Sequence, residues 1–263
     1  MRDLQYEEHQ PHPGLRPEVR CLWRAVIPPS GAATPPWLRV LPDGCTDIVV
    51  DYVPSPGPRG RPAGAIGVNV VGTMTRAAPF CSTETVEVLG LRFNPGGASA
   101  FLRVPARELT DTSVALTEFW HGDAAELAAR LAEIGTVRER LAAIEALALR
   151  RLRPVGSGAW CALRTAQLIA AEAGGIRVGE LAERTGFSRQ YLARLFDEHI
   201  GIAPKLFARI ERFSAIVERA ESGGTPGGWA DAAVAHGYYD QSHFVHEFAE
   251  FAGVTPLAYF GRG

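Results

Sequence analysis

The chain has 263 residues, 46% of them hydrophobic and 21% charged, with a formal net charge of -2. That length buries a substantial core and exceeds one typical small domain, so two domains are expected. No apolar run approaches the ~18 to 20 residues that cross a bilayer, and the opening MRDLQYEEHQPHPG lacks the basic-then-apolar order of a secretory signal. A cytoplasmic protein without a membrane partner is the expectation. The cysteines, Cys21, Cys45, Cys81 and Cys161, are too sparse for a disulfide framework and show no CxxC spacing, so they read as buried free thiols. All basic residues but Lys205 are arginine, and the slightly acidic balance is weakly against a nucleic-acid partner.

Residues from about 20 to 105 read as β-rich. The short runs LWRAVIP, WLRVLP, TDIVVDY, AIGVNVVG and VEVLGLRF are separated by Gly, Pro and Asp-Gly, as in a compact sheet, barrel or sandwich. The segment VPSPGPRGRPAG (53 to 64) reads as a surface loop with Arg59 and Arg61 solvated. From about Leu116 to Arg153 the pattern changes to Ala, Leu, Glu and Arg. Leu127, Leu131 and Ile134 form one apolar stripe and Leu141, Ile144 and Ala148 another, which predicts two amphipathic helices parted at Gly135-Thr136. These stripes need burial, either against the sheet or in a homodimer. RLRPVGSG (151 to 158) stops the second helix and supplies a joint, so the domain boundary is placed between 153 and 154.

Beyond the joint the chain reads as all helix and contains a repeat. ELAERTGFSRQYLARLFDEHIGIAP (180 to 204) recurs as DAAVAHGYYDQSHFVHEFAEFAGVTP (231 to 256), with one extra residue in the second turn. Each copy predicts a helix-turn-helix: Gly186 and Gly237 suit the positive φ after a helix end, and Ser188 and Asp240 can cap the next helix. Leu192, Leu195 and Phe196 would face inward in the first copy, and Phe244, Phe248 and Phe251 in the second. The opposite faces carry Arg189, Gln190, Ala193 and Arg194, and Gln241, Ser242, Val245 and His246. Arginine can bond guanine bidentately, glutamine adenine, and an aliphatic group can touch a thymine methyl, so double-stranded DNA is the partner these faces suit. The intervening residues 204 to 222 predict one rod of about 27 Å, enough to hold two reading helices near one DNA turn, ~34 Å, apart.

The tail GYYDQSHFVHEFAEFAGVTP is close to the pattern Gly-Phe-x-Asp-x-Ser-His-Phe-x-Arg-x-Phe-x-x-x-x-Gly-x-x-Pro, and GFSRQYLARLFDEHIGIAP matches its first-copy equivalent. On these motifs residues 159 to 260 resemble the DNA-binding domain of the AraC/XylS family of bacterial transcription regulators. The resemblance implies an α+β protein, β-rich and sensor-like at the N-terminus and then helical. Its C-terminal domain, 154 to 263, would be all-α, two helix-turn-helix units joined by a long helix. It implies a DNA interface of Ser188, Arg189, Gln190, Ala193, Arg194, Gln241, Ser242, His243, Val245 and His246. It also implies an N-terminal domain, 1 to 153, that binds a small-molecule effector and dimerises, with RNA polymerase as a further partner. Three departures stand out: His246 occupies the place of an arginine, Tyr238 that of a phenylalanine, and Glu247 puts a negative charge on the second reading helix. Residues 154 to 263 carry 10 basic and 12 acidic side chains, an imbalance offset by a cluster of Arg184, Arg189, Arg194, Lys205 and Arg209 around the first reading helix.

The fragments LPDGCTDIVVDY, VVGTMTRAA and VEVLGLRFNPGGASAFLRVPARELTD resemble the N-terminal domain of a subset of these regulators, the last predicting a strand, a Pro-Gly-Gly turn and a helix ending at Leu-Thr-Asp. Trp23, Trp37 and Arg92 are candidates for lining a sensor pocket, since aromatic walls and a cation suit a small polar ligand. The alternative makes them core tryptophans and a surface arginine. A metal-dependent barrel enzyme is disfavoured because no histidine lies between His12 and His121. Cys45 beside Asp43 and Asp47 suggests an activated thiol, but no histidine lies nearby in sequence and the carboxylates would raise its pKa, so the structural reading is an Asp-Gly turn leading into a strand with a buried cysteine. A DNA-repair cysteine that accepts an alkyl group is the rival function. That chemistry needs a zinc-bound or histidine-activated cysteine, and neither spacing occurs. No catalytic residue, metal or cofactor is therefore expected.

Overall fold

The computed structural model describes residues 4–29, 38–52, 66–80, 82, 84–223 and 228–261. Trp37, Arg59, Arg61 and Cys81, singled out above, lie outside them. The architecture is α+β. Strands β1 (Gln5–His9), β2 (Val19–Ile27), β4 (Asp47–Tyr52), β5 (Ile66–Val71), β7 (Val86–Phe93) and β8 (Ser113–Ala115) form an antiparallel sheet in the order β1-β2-β7-β4-β5-β8. Strands β3 (Leu38–Val40) and β6 (Ala78–Phe80) pair separately.

Alternation along the strands divides the side chains between two faces. Leu22, Ile48, Val50, Val68, Val70, Leu89 and Leu91 point to one face, where helices α1 (Thr117–Glu133) and α2 (Val137–Arg151) cover them with Leu127, Leu131, Leu141 and Ile144. Both leucine stripes are thus buried against their own sheet and are not free to bury against a second copy. On the other face lie Cys21, Trp23, Ala25, Val86 and Val88, packed with Leu38 and Phe80 of the small sheet. There Gly90 stands opposite Trp23, and a Cβ on it would come within 2.2 Å of the indole; the bare backbone at Gly90 is what lets the ring lie across the strand.

The predicted helix after the Pro-Gly-Gly turn is replaced by two short 3-10 turns, Gly97–Ala100 and Ala106–Glu108. Val104 precedes Pro105, and a residue before proline is pushed out of helical backbone, so one continuous helix is broken at that point.

The C-terminal half has its own core. The apolar contacts of the first core end at Val155; those of the second come from Cys161 onward, joined by Leu41 of the N-terminal half. Helix α3 (Ser157–Ala171) is followed by α4 (Val178–Thr185) and α5 (Arg189–His199), then by α6 (Pro204–Gly223), α7 (Gly228–Ala235), α8 (Gln241–Ala252) and α9 (Pro256–Phe260). At 20 residues α6 extends about 30 Å. No helix among the described residues is long and apolar enough to cross a membrane.

The N-terminal half grips the far ends of two helices of the C-terminal half. Thr73 and Thr110 donate to the carbonyls of Ile200 and Gly201, just past α5, at 2.7 and 2.8 Å. Ser99 meets His199 Nδ1 at 3.1 Å, and the Ala77 N–H donates to the Phe251 carbonyl of α8 at 2.6 Å. The bonds from Thr73, Thr110 and Ala77 satisfy carbonyls that a helix end leaves open.

Gly44 approaches the Phe207 ring and Glu211 of α6. Burial pushes the Glu211 carboxyl up to about 7; Arg20 opposes the shift, while Asp43 and Glu218 add to it. A carboxyl held above its unfolded value of 4.5 contributes stability that is full below pH 4.5 and is lost as the pH rises through about 7. Glu211→Gln is therefore expected to stabilise the protein above pH 7 by up to about 3 kcal/mol, less what solvent screening removes, and to flatten stability across that window. Denaturant midpoints of both proteins measured at acid and alkaline pH check this; parallel pH profiles would contradict it.

Candidate nucleic-acid interface

Helices α4 and α5 form one helix-turn-helix and α7 and α8 the other, with α6 between them. The turns are built as their residues require. Gly186 and Gly237 take φ of 72° and 78°, in the left-handed region that an L side chain resists. The Ser188 hydroxyl accepts the Tyr191 N–H at 3.1 Å, and Asp240 accepts the His243 N–H at 2.7 Å, each satisfying an open donor at a helix start. Leu192, Leu195 and Phe196, and Phe244, Phe248 and Phe251, are buried in a single core. The orientation of both helices follows from that burial.

Ser188, Arg189, Gln190, Ala193 and Arg194 are exposed on the first unit, and Gln241, Ser242, His243 and His246 on the second. Val245 is only half-exposed and packs partly on the core. The Arg194 guanidinium lies 5.2 Å from the Tyr191 ring centre, so an aromatic face steadies its stem. Tyr239, in the turn just before α8, is 89% exposed, the most open large apolar side chain among the described residues. Sequence reading passed over it because the adjacent Tyr238 carries the core position.

Two electrostatic expectations are corrected. Glu247 does not face outward: it is 3% exposed, accepting from Arg209 Nε at 2.7 Å and from Arg212 at 3.1 Å. Burial alone would raise its pKa, but the two guanidinium groups outweigh that and hold the carboxyl below its ordinary value. The spacing Phe244, Glu247, Phe248, Phe251 already places it on the inner stripe of α8. The basic cluster around α5 is also smaller than expected. Arg184 pairs with Glu172 at 2.8 Å and Glu180 at 2.6 Å, and Arg209 is taken up by Glu247 and Glu250. Arg189, Arg194 and Lys205 make no ion pair with a described residue, and all three are exposed.

The sheet register joins Trp23 and Arg92 in a different arrangement from an open pocket wall. The Trp23 indole donates to Asp47 at 2.7 Å, and Arg92 bonds Asp47 at 3.1 Å and Asp43 at 3.3 Å. Two carboxylates already neutralise this arginine. Burial likewise pushes the Cys21 thiol up to about 12 and Cys45 well above its ordinary value, which disfavours the thiolate that alkyl transfer needs.

Residues 181–262 match the family described as "Helix-turn-helix domain". These residues form an AraC-type helix-turn-helix domain. Ahead of this AraC-type domain, residues 7–115 match a domain of unknown function, DUF6597. No curated protein matches the chain. Among solved structures the chain is similar to ToxT from Vibrio cholerae. An apo variant of ToxT is 13% identical over 90% of this chain and 96% of that one, with a TM-score of 0.48. Wild-type ToxT bound to an unsaturated fatty acid is 12% identical over 90% and 94%, with a TM-score of 0.47.

Proposed function

We propose that the chain is a sequence-specific DNA-binding transcription regulator, not an enzyme, whose N-terminal domain responds to a small-molecule effector. The observation that carries this reading is the pair of helix-turn-helix units on one rod, each with hydrogen-bonding side chains exposed on the face opposite its core. Gln190, Arg194 and Gln241 supply base-edge chemistry, while Arg189, Lys205 and the two helix starts supply phosphate contacts. Double-stranded DNA is the partner. A homodimer, if formed, would use a surface other than the leucine stripes of α1 and α2, which the sheet already covers.

With few unpaired cations, affinity rests on base contacts more than on phosphate attraction, so the salt dependence should be shallow for a DNA-binding protein. Selection of duplexes from a random pool with the full chain tests the reading. The expected result is a bipartite motif whose two elements lie about one helical turn apart. Retention without a shared motif, abolished by moderate salt, would reject it.

A further inference from the structure

We infer that the DNA interface extends onto the N-terminal domain, where Arg107 neutralises Asp197 on the outward face of α5 and so raises affinity for the phosphate backbone of the duplex. The inference deepens the regulator reading above and rests on it. Neither side chain belongs to the reading set of Gln190, Ala193 and Arg194, and the two come from different halves of the chain.

The position of Asp197 makes its charge a liability. At ~3.6 residues per turn, Gln190, Ala193, Arg194 and Asp197 fall on one stripe of α5, opposite the buried Leu192, Leu195 and Phe196. Asp197 follows Arg194 by three residues, ~4.5 Å along the axis, which is inside the ~8 Å over which physiological salt screens a charge. A carboxylate there repels the phosphates flanking any base that Arg194 reaches. It also lies in the last turn of α5, where the helix dipole disfavours an anion. The cation that offsets it comes from 90 residues away: the Arg107 guanidinium donates to the Asp197 carboxylate at 3.1 Å.

The domain junction holds the pair in place. Arg107 is carried by the 3-10 turn Ala106–Glu108, and this turn is pinned against the end of α5. Thr110, two residues beyond it, makes the bond to the Gly201 carbonyl described above. Gly201 takes a φ of 92°, and a Cβ on it would come within 2.8 Å of the Ala106 carbonyl oxygen. A bare backbone at that point is what lets the turn sit close enough for Arg107 to reach Asp197.

Folding stability does not account for the pair. The two side chains are 49% and 54% exposed, and an ion pair so open to water contributes little to the folded state. To an approaching polyanion the same pair matters, because it decides whether the outward stripe of α5 carries an uncompensated negative charge. Arg103 and Glu108, which flank Arg107 in the chain, are exposed and make no ion pair with a described residue; the same holds for Glu198, which lies to the side of the stripe. Asp197 is therefore the carboxylate at the centre of the reading face, and a duplex that meets it also meets the N-terminal domain.

Affinity of the full chain for a selected duplex and for an unrelated duplex of equal length, measured from about 50 to 200 mM salt, tests the inference. Arg107→Gln leaves Asp197 bare and should lose at least about threefold in affinity for both duplexes at the low-salt end. Asp197→Asn frees Arg107 for phosphate and should gain at least about threefold, with a salt slope steeper by about one. The double variant, whose pair carries no net charge in either form, should bind like the wild type. All three should keep a Tm within about 4 °C of the wild type. Opposite signs in the two single variants mark neutralisation, since a pair that only positioned α5 would lose affinity whichever partner was removed. No loss from Arg107→Gln, or no gain from Asp197→Asn, would overturn the proposal. The regulator reading is judged separately, by the wild type's preference for the selected duplex. If that preference is absent, the reading falls, and the shifts on either duplex still decide the inference because phosphate attraction is blind to sequence. If the preference holds and the variants do not shift, the reading stands and Arg107 lies outside the interface.

Discussion

Glu247→Ala is expected to destabilise the protein by about 3 kcal/mol, the low end of the range for breaking a buried ion pair, and to lower its Tm by roughly 6 to 12 °C. The carboxylate is shared by Arg209 and Arg212, and Arg212 also lies over the Tyr238 ring at 4.6 Å. Removing it leaves two cations facing one another at the α6–α8 contact. Arg209 keeps Glu250 as a partner, which is why the low end applies. The carboxyl is held below its ordinary value by the arginines, so the wild type owns this stability above pH 4.5 and loses it as the pH falls below. The variant should lack that acid-side loss. Thermal melts of both proteins at neutral and acid pH measure the difference. The competing expectation, an outward Glu247 repelling phosphate, predicts unchanged stability and tighter DNA binding; that outcome would move the residue back to the surface.

Arg194→Ala should weaken binding to a selected duplex by about 1 to 3 kcal/mol, roughly five- to more than a hundredfold, and relax preference at one base pair. Arg194 sits one turn after Gln190 on the exposed side of α5, with Tyr191 beneath its stem, and has no carboxylate partner among the described residues. Arg184→Ala is the control. That side chain is engaged by Glu172 and Glu180, so its loss should change DNA affinity little. Binding to a panel of single-base variants of the duplex separates base reading from phosphate contact. A uniform loss across the panel, with the salt slope reduced by about one, would assign Arg194 to phosphate instead.

Local chemistry determined much of this protein from its sequence. The repeat, the glycine turns, the Ser188 and Asp240 caps and the inward phenylalanines are short-range features. Burial of one helix stripe decides which side chains face out, so the outward faces of α5 and α8 were legible apart from the partial burial of Val245. The inward position of Glu247 was equally legible in its spacing from Phe244 and Phe251, but charge suggested solvent and its partners lie 35 and 38 residues away.

Tertiary structure alone decided the rest. Edge strand β1 carries only exposed residues and so has no apolar alternation to announce it. Which face of the sheet the leucine stripes cover, and whether a second copy is needed to cover them, depends on how far-separated segments pack. Sheet register, set across β2, β7 and β4, is what places Asp47 against Trp23 and Arg92 and closes off the arginine that sequence reading left open. Phe101, Trp120 and Arg151 meet in the same way: the Trp120 indole donates to the Phe101 carbonyl and Arg151 to the Trp120 carbonyl, across stretches far apart in sequence. Such contacts are fixed by the global minimum of packing and hydrogen bonding, and no local window of the chain contains them.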